Sequence, residues 1–251
     1  MAVRLQVAGV GKDFLIPVID SVSFAVEAGE FVCVLGPNGC GKTTLLRIVG
    51  GLEPPTRGHV LLGGEPVSGS GRHTKKVGVV FQEDRLLPWL TLRQNVALVL
   101  EPLGVDARAR RATADRYLRL AGLAGFEDYH PARVSGGMRQ RAAIARALAI
   151  EPDLLLMDEP FGALDAQNRR IMQAEVRRIW RETGRTILFV THAIDEAVAI
   201  GTTLIMLSAR PARIRAEIRN DGHVERGKLI DDLNTLIMEE VERQQGTSSM
   251  S

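Results

Sequence analysis

The chain has 251 residues, 45% hydrophobic, 25% charged and 4% aromatic, enough apolar material for one large domain or a domain with a subdomain. A formal net charge of +2 calls for neither a nucleic acid nor an anionic membrane surface. The two cysteines, Cys33 and Cys40, fit no metal or redox spacing, so a reducing compartment is expected.

In chain order, the N-terminal stretch "MAVRLQVAGVGKDF" lacks the apolar core of a signal peptide. No run approaches the roughly 20 apolar residues of a membrane helix. A cytosolic protein is expected, or one attached to a membrane only through something else. The runs "VRLQV", "SFAV", "FVCVLG" and "HVLLGG" read as short strands with glycine-rich turns between some of them. Lys42 to Gly50 reads as a helix, and Lys75 to Gln82 as another strand. From Thr91 to about Gly122 the pattern turns helical, with Thr91 a candidate cap for one helix and Asp106 for the next. The arginines of the second helix suggest nucleic acid, but Asp115 and the near-neutral total charge favour a solvated face.

A helix follows Ser135 and runs to Ala149, and "DLLLMDEP" is an apolar strand ending in two acids. Next come a helix from Ala166 to about Thr183, the strand "TILFVTH", a short helix from near Ala193, and the strands "TTLIMLSA" and "RIRAEIRN". "GKLIDDLNTLIMEEVERQQ" forms an amphipathic helix, and the tail "GTSSMS" is expected to fray. Apolar strands alternating with helices imply an α/β fold with a largely parallel sheet covered on both faces. The helical block from Thr91 interrupts that alternation and is expected to form its own lobe. There is no internal repeat.

"GPNGCGKT", starting at Gly36, fits G-x-x-x-x-G-K-[ST] between an apolar strand and a helix. Glycines at Gly36, Gly39 and Gly41 let backbone N–H groups wrap phosphates at the positive end of that helix. Lys42 is placed to reach β- and γ-phosphates, and the Thr43 hydroxyl to ligate Mg²⁺. Cys40 reads as a small loop filler, with a reactive thiol at a helix start as the alternative. Asp158 and Glu159 end an apolar strand: the first can hold Mg²⁺ through water, and the second suits a general base for the attacking water. Gln82 also ends a strand, and its amide can sense Mg²⁺ or the lytic water. A lone histidine is usually structural, but His192 ends a strand on the same predicted sheet edge and can reach a γ-phosphate. A second glycine-rich helix start, "VSGGMRQR" at Val134 to Arg141, has no evident use in a single phosphate site.

Together these residues resemble the ATP-binding subunit of an ABC transporter, over Val3 to Arg219 and in the family's order. The P-loop is Gly36, Pro37, Asn38, Gly39, Cys40, Gly41, Lys42, Thr43 and Thr44. The Q-loop carries Gln82, the signature begins at Ser135-Gly136-Gly137 and includes Gln140, and "LLLMDEP" is the Walker B strand. Asp165 marks the D-loop "GALD", and His192 is the switch histidine. The resemblance implies a P-loop NTPase fold of ABC type, with a mainly parallel core sheet, an N-terminal antiparallel β part and a helical subdomain. It also implies a head-to-tail dimer, in which each ATP lies on one subunit's P-loop and the other's signature. Ser135 and the adjacent N–H groups would then cradle the partner's γ-phosphate. Val134 stands where the family more often has Leu, a conservative change. Phe14 lies where the family has an aromatic that stacks on adenine, with core packing as the alternative.

"LLPWLT" after the Q-loop resembles importers of the nitrate/sulfonate/taurine group, in which this region lines a groove for a permease helix. Pro88 and Trp89 would supply that contact, unless Trp89 is buried inside the lobe. "SARPARI" resembles the same group, and little chain follows it for a large regulatory domain. Residues 1–225 are expected to form the ATPase domain, with the helical lobe at about 88–150, and 226–251 a helix and flexible tail. The implied cofactors are ATP and Mg²⁺. The implied partners are a second copy, integral permease subunits and, indirectly, an extracytoplasmic solute-binding protein, with no nucleic acid. The place implied is the cytoplasmic face of the inner membrane. Two rivals stand beside this reading: a soluble ABC ATPase acting on DNA or ribosomes, and a non-transporting switch that regulates a membrane complex. The first usually carries coiled-coil insertions, zinc cysteines or tandem cassettes, none of which occurs here.

Overall fold

The computed structural model describes residues 2–67, 76–162 and 164–248, with side chains as far as Arg243 in the last helix. The chain forms two compact units, one of residues 76–185 and one of residues 2–75 with 186–251. Its first segment holds β1 (Leu5–Asp13), β2 (Pro17–Val26), β3 (Phe31–Leu35), α1 (Lys42–Val49), β4 (Arg57–Leu62) and β5 (Glu65–Pro66). The middle unit holds β6 (Val77–Val80), α2 (Leu92–Leu98), α3 (Ala107–Leu120), α4 (Gly136–Ala149), β7 (Leu154–Asp158) and α5 (Ala166–Thr183). The last segment holds β8 (Thr186–Val190), α6 (Ile194–Ile200), β9 (Thr203–Leu207), β10 (Ile214–Arg219) and α7 (Arg226–Ser248).

In the unit formed by the two terminal segments, β2, β1, β4 and β5 make a four-stranded antiparallel sheet. β1 runs well past the predicted "VRLQV". Its register slips between Val7 and Val10, where Gly9 takes φ +57°, so strict alternation ends there although pairing with β2 continues. At the crossing with β4, a Cβ on Gly58 would lie 2.2 Å from the Gly9 carbonyl oxygen. Only glycine permits that approach.

The same unit carries a second sheet in which β3 pairs in parallel with β8 and with β9. Every residue of β3, β8 and β9 is buried, which is why these strands read as continuous apolar runs. Phe31 and Phe189 pack with tilted rings, centroids 6.0 Å apart. β10 joins β9 antiparallel, because residues 208–213 are too few for the crossover that a parallel neighbour requires. α7 packs on α6, with Leu229 and Leu233 buried. The buried Glu240 carboxylate accepts hydrogen bonds from the Ala209 N–H and Arg243 and pairs with Arg215. Helical backbone continues through Ser248, so Gly246 to Ser248 extend α7 where fraying was expected. The rest of that tail lies outside the described residues.

In the middle unit β6 and β7 pair in parallel. The predicted strand from Lys75 to Gln82 is shorter in fact, Val77–Val80, and Lys75 lies outside the described residues. Thr91 caps α2 with a capping box to Gln94, and the Asp106 carboxylate accepts from the Arg108 and Ala109 N–H groups to start α3. α2, α3 and α4 pack on one another around Leu92, Val96, Ala114 and Leu118, all fully buried. Burying each large side chain is worth about 1.5–3 kcal/mol. Arg108, Arg111, Arg116 and Arg119 of α3 are exposed, as a solvated face requires.

Candidate functional site

β3 delivers the chain to Gly36 at the edge of its sheet, and α1 starts at Lys42. Between them Gly41 takes φ +119°, and a Cβ there would meet Val18 Cγ1 at 3.1 Å and Ile19 Cγ1 at 3.3 Å. Glycine is therefore obligatory at this N-cap. It brings no side-chain cap, and the positive end of α1 is a favourable place for an incoming anion. Lys42 is 5% exposed, and its ammonium donates to the carbonyls of Gly36 at 2.8 Å and Pro37 at 2.9 Å. A positive charge is thus stored under the loop. Burial pushes the Cys40 thiol up, against the lowering effect of Lys42, and this supports the filler role.

In the same unit, β8 ends at Val190 and His192 is exposed just beyond it. Two residues that sequence reasoning passed over build this turn. The Thr191 hydroxyl donates to the buried Glu196 at 2.7 Å and accepts from the Ala193 N–H at 3.0 Å. Phe14, at the tip of the β1–β2 hairpin, is 56% exposed, with the Lys12 ammonium 4.8 Å from its ring centroid. Core packing of Phe14 is excluded.

The remaining predicted residues lie in the middle unit. Asp158 ends β7 and is buried. Glu159 follows at φ +43°, a left-handed conformation that costs a non-glycine residue roughly 1–3 kcal/mol and is further disfavoured before Pro160. The fully buried Phe161 anchors the turn, and the Gly162 N–H donates back to the Glu159 carbonyl at 3.1 Å. Gln82 rests against this turn: a Cβ on Gly162 would come within 3.2 Å of its Nε2. A cleft of about 590 Å³ is lined by Gln82, Asp84, Gly136, Arg139, Pro160 and Leu164, among others.

Ser135 is exposed and caps α4, its Oγ accepting from the Met138 N–H at 3.3 Å. Gly136 and Gly137 have ordinary negative φ. Among the described residues, a Cβ at Gly137 would meet nothing within 4 Å, and one at Gly136 only Arg139 Nη2 at 3.7 Å. Glycine in a helix costs roughly 0.5–1 kcal/mol relative to alanine, so the chain's own packing does not account for the pair. Asp165 caps α5 and accepts from the Asn168 N–H and side-chain amide, bonds that hold its carboxyl below the usual range. Gln140 is 4% exposed and donates to the Phe81 carbonyl at 3.3 Å, which ties α4 to the strand end just before Gln82.

Trp89 is 70% exposed, which removes its reading as a core residue. The loop that presents it is fixed by Asn95, fully buried on α2. Asn95 accepts from the Leu87 N–H at 2.7 Å and donates to the carbonyls of Leu87, Leu90 and Thr91. Asn95 was legible only as an amide among apolar neighbours. Trp89→Ala is expected to leave the melting temperature of the isolated subunit unchanged. Asn95→Ala, which strands several buried backbone groups, is expected to cost about 2 kcal/mol or more, and thermal unfolding of both variants checks the contrast.

A glycine-walled loop opening onto an uncapped helix, with a lysine beneath it, defines a phosphate-binding P-loop fold. The family model described as "ABC transporter" matches residues 19–162. An uncharacterised ABC transporter ATP-binding protein of Methanocaldococcus jannaschii is 46% identical over 226 residues, 88% of this chain and 84% of that protein. The taurine import ATP-binding protein TauB of Burkholderia pseudomallei is 50% identical over 198 residues, 79% of this chain and 75% of that one. Among solved structures, the dimeric ATP-binding cassette MJ0796, in a post-hydrolysis state with ADP and Pi, superimposes with a TM-score of 0.75 at 31% identity, covering 87% of this chain and 99% of that one. The chain belongs to the ABC transporter family, as an ATPase subunit. Among the described residues no helix is long and apolar enough to cross a membrane.

Proposed function

We propose that this ATPase drives an importer of a small organic or inorganic anion of the taurine, sulfonate or nitrate class, working as a head-to-tail dimer beneath a permease at the cytoplasmic face of the inner membrane. The ATPase domain would be residues 1–225. The observation that carries the dimer is the exposed Ser135 helix start, beside whose two glycines, among the described residues, only Arg139 Nη2 comes near, 3.7 Å from a Cβ built on Gly136. A partner's γ-phosphate carries the charge that a helix start favours. The solute class rests on the resemblance to TauB. The permease contact rests on a tryptophan held out to solvent by a buried asparagine. A solute-binding protein outside the membrane would complete the importer.

In this reading Lys42 balances the charge of the β- and γ-phosphates, and Phe14 stacks on adenine. Glu159 takes a proton from the attacking water, which Gln82 orients, and His192 donates to the γ-phosphate. Asp165 borders the shared interface through its capped turn. The oxygen donors Thr43, Asp158 and Gln82 suit a hard cation such as Mg²⁺, which would neutralise phosphate charge when bound. Among the described residues no group of three or more His, Cys, Asp or Glu forms a metal site, and a magnesium ion held largely by phosphate and water needs none.

Ser135→Arg tests the dimer. The bulky side chain enters the space reserved for the partner's γ-phosphate, so ATP-driven dimerisation should fail while the first ATP still binds. A variant that dimerises fully in gel filtration with ATP would make the second glycine turn structural. Uptake of labelled taurine and of an alkanesulfonate by cells whose only copy is Glu159→Gln tests the solute class. Nitrate uptake is measured in the same cells; loss of any of the three supports the class, and normal uptake of all three overturns it.

A further inference from the structure

Arg139 and Arg146 lie seven residues apart, two turns along one face of α4, and both reach the segment that follows Gln82. Arg146 donates from Nη2 to the Asp84 carbonyl at 2.8 Å and from Nη1 to the Arg85 carbonyl at 2.7 Å. Arg85 is held at φ +48°, a strained conformation for a non-glycine residue that this grip helps maintain. Arg139 makes a more consequential bridge. Its Nε donates to the Asp84 carboxylate at 3.0 Å, while Nη1 donates to the carbonyl of Val134 at 3.1 Å, the residue immediately before Ser135. The other Asp84 oxygen accepts from the Leu86 N–H at 3.1 Å, at the start of the loop that carries Trp89. A single guanidinium therefore joins that loop to the backbone entering the Ser135 turn, and it lies beside Gly136.

We propose that Arg139 is a positioning residue for ATP hydrolysis: through Asp84 it makes the segment after Gln82 set where the Ser135 cradle stands. This rests on the reading that Ser135 serves a partner's nucleotide. The planar fork of arginine can satisfy a carboxylate and a carbonyl at once, and lysine offers no such fork. A charged hydrogen bond of this kind matters enough to change a rate about tenfold when lost.

Arg139→Gln and Asp84→Asn are each expected to lower kcat about tenfold, with the affinity of the isolated subunit for ATP unchanged. The double variant should be no slower than either single one, because both remove the same bridge. Arg139→Lys should remain slow, and in a Glu159→Gln background each variant should need more ATP to dimerise. Wild-type kcat in both single variants overturns the proposal, as does a double variant slowed about a hundredfold. A lower melting temperature with unchanged kcat assigns the pair to packing and also overturns it. If Arg139→Gln does not fold, the near-isosteric Asp84→Asn decides alone by the same kcat criterion. Ser135→Arg, run in parallel, separates the two levels. If it blocks dimerisation while the bridge variants turn over normally, only the bridge is wrong; if it dimerises like the wild type, the underlying reading fails.

Discussion

Glu159→Gln subunits are expected to bind ATP normally, hydrolyse it about 10²–10⁴-fold more slowly, and accumulate as nucleotide-held dimers. The amide has the shape of the carboxylate, so the φ +43° turn and its bond from the Gly162 N–H are preserved. What disappears is the group that takes the proton of the attacking water. With hydrolysis blocked, the γ-phosphate persists, and in the proposed dimer it is the ligand that joins one subunit's P-loop to the other's Ser135 turn. Single-turnover hydrolysis measures the first effect, and light scattering with ATP and Mg²⁺ measures the second. A slow variant that stays monomeric at high concentration would retain the base and refute the sandwich. A monomer with normal turnover would refute both.

Lys42→Ala is expected to weaken ATP binding roughly 10²-fold through loss of a charged phosphate contact. Its ammonium also donates to the Gly36 and Pro37 carbonyls, so a modest fall in melting temperature should accompany the loss without unfolding. A titration showing unchanged affinity would remove Lys42 from the phosphate site. The same variant also locates the second glycine turn. Mixed with Ser135→Arg, a head-to-tail pair places both lesions in one composite site and leaves the other with an intact P-loop and an intact Ser135 turn. That mixture should recover ATPase activity that neither variant shows alone. No recovery, combined with a Ser135→Arg subunit that still dimerises, would return Ser135 to its own fold.

The element order was largely legible because local chemistry writes it. Thr91, Asp106, Ser135 and Asp165 are side-chain N-caps in the structure, and capping is decided within four residues of chain. β3, β7, β8 and β9 announced themselves as unbroken apolar runs because both their faces are covered. The P-loop was equally plain, since the glycine spacing and Lys42 act within one turn of each other. The extension of β1 past Val7 was hidden, because a bulge breaks alternation while a neighbouring strand supplies the pairing.

Exposure and side-chain partnership were a different matter, because they depend on residues distant in the chain. From sequence alone, core packing stood as the alternative to a contact role for Phe14 and Trp89; the fold leaves both out in solvent. The hydrogen bond that buried Gln140 makes to the Phe81 carbonyl could not be read from the signature motif. The roles of Asn95, Glu196 and Arg139 were invisible, since each follows from bonds to backbone or side chains that only folding brings near. The sequence by itself determined the caps, the buried strands and the phosphate loop, all products of short-range sterics and hydrophobic periodicity. Tertiary structure decided which side chains are free to meet a partner, because burial and hydrogen-bond pairing are properties of the packed chain.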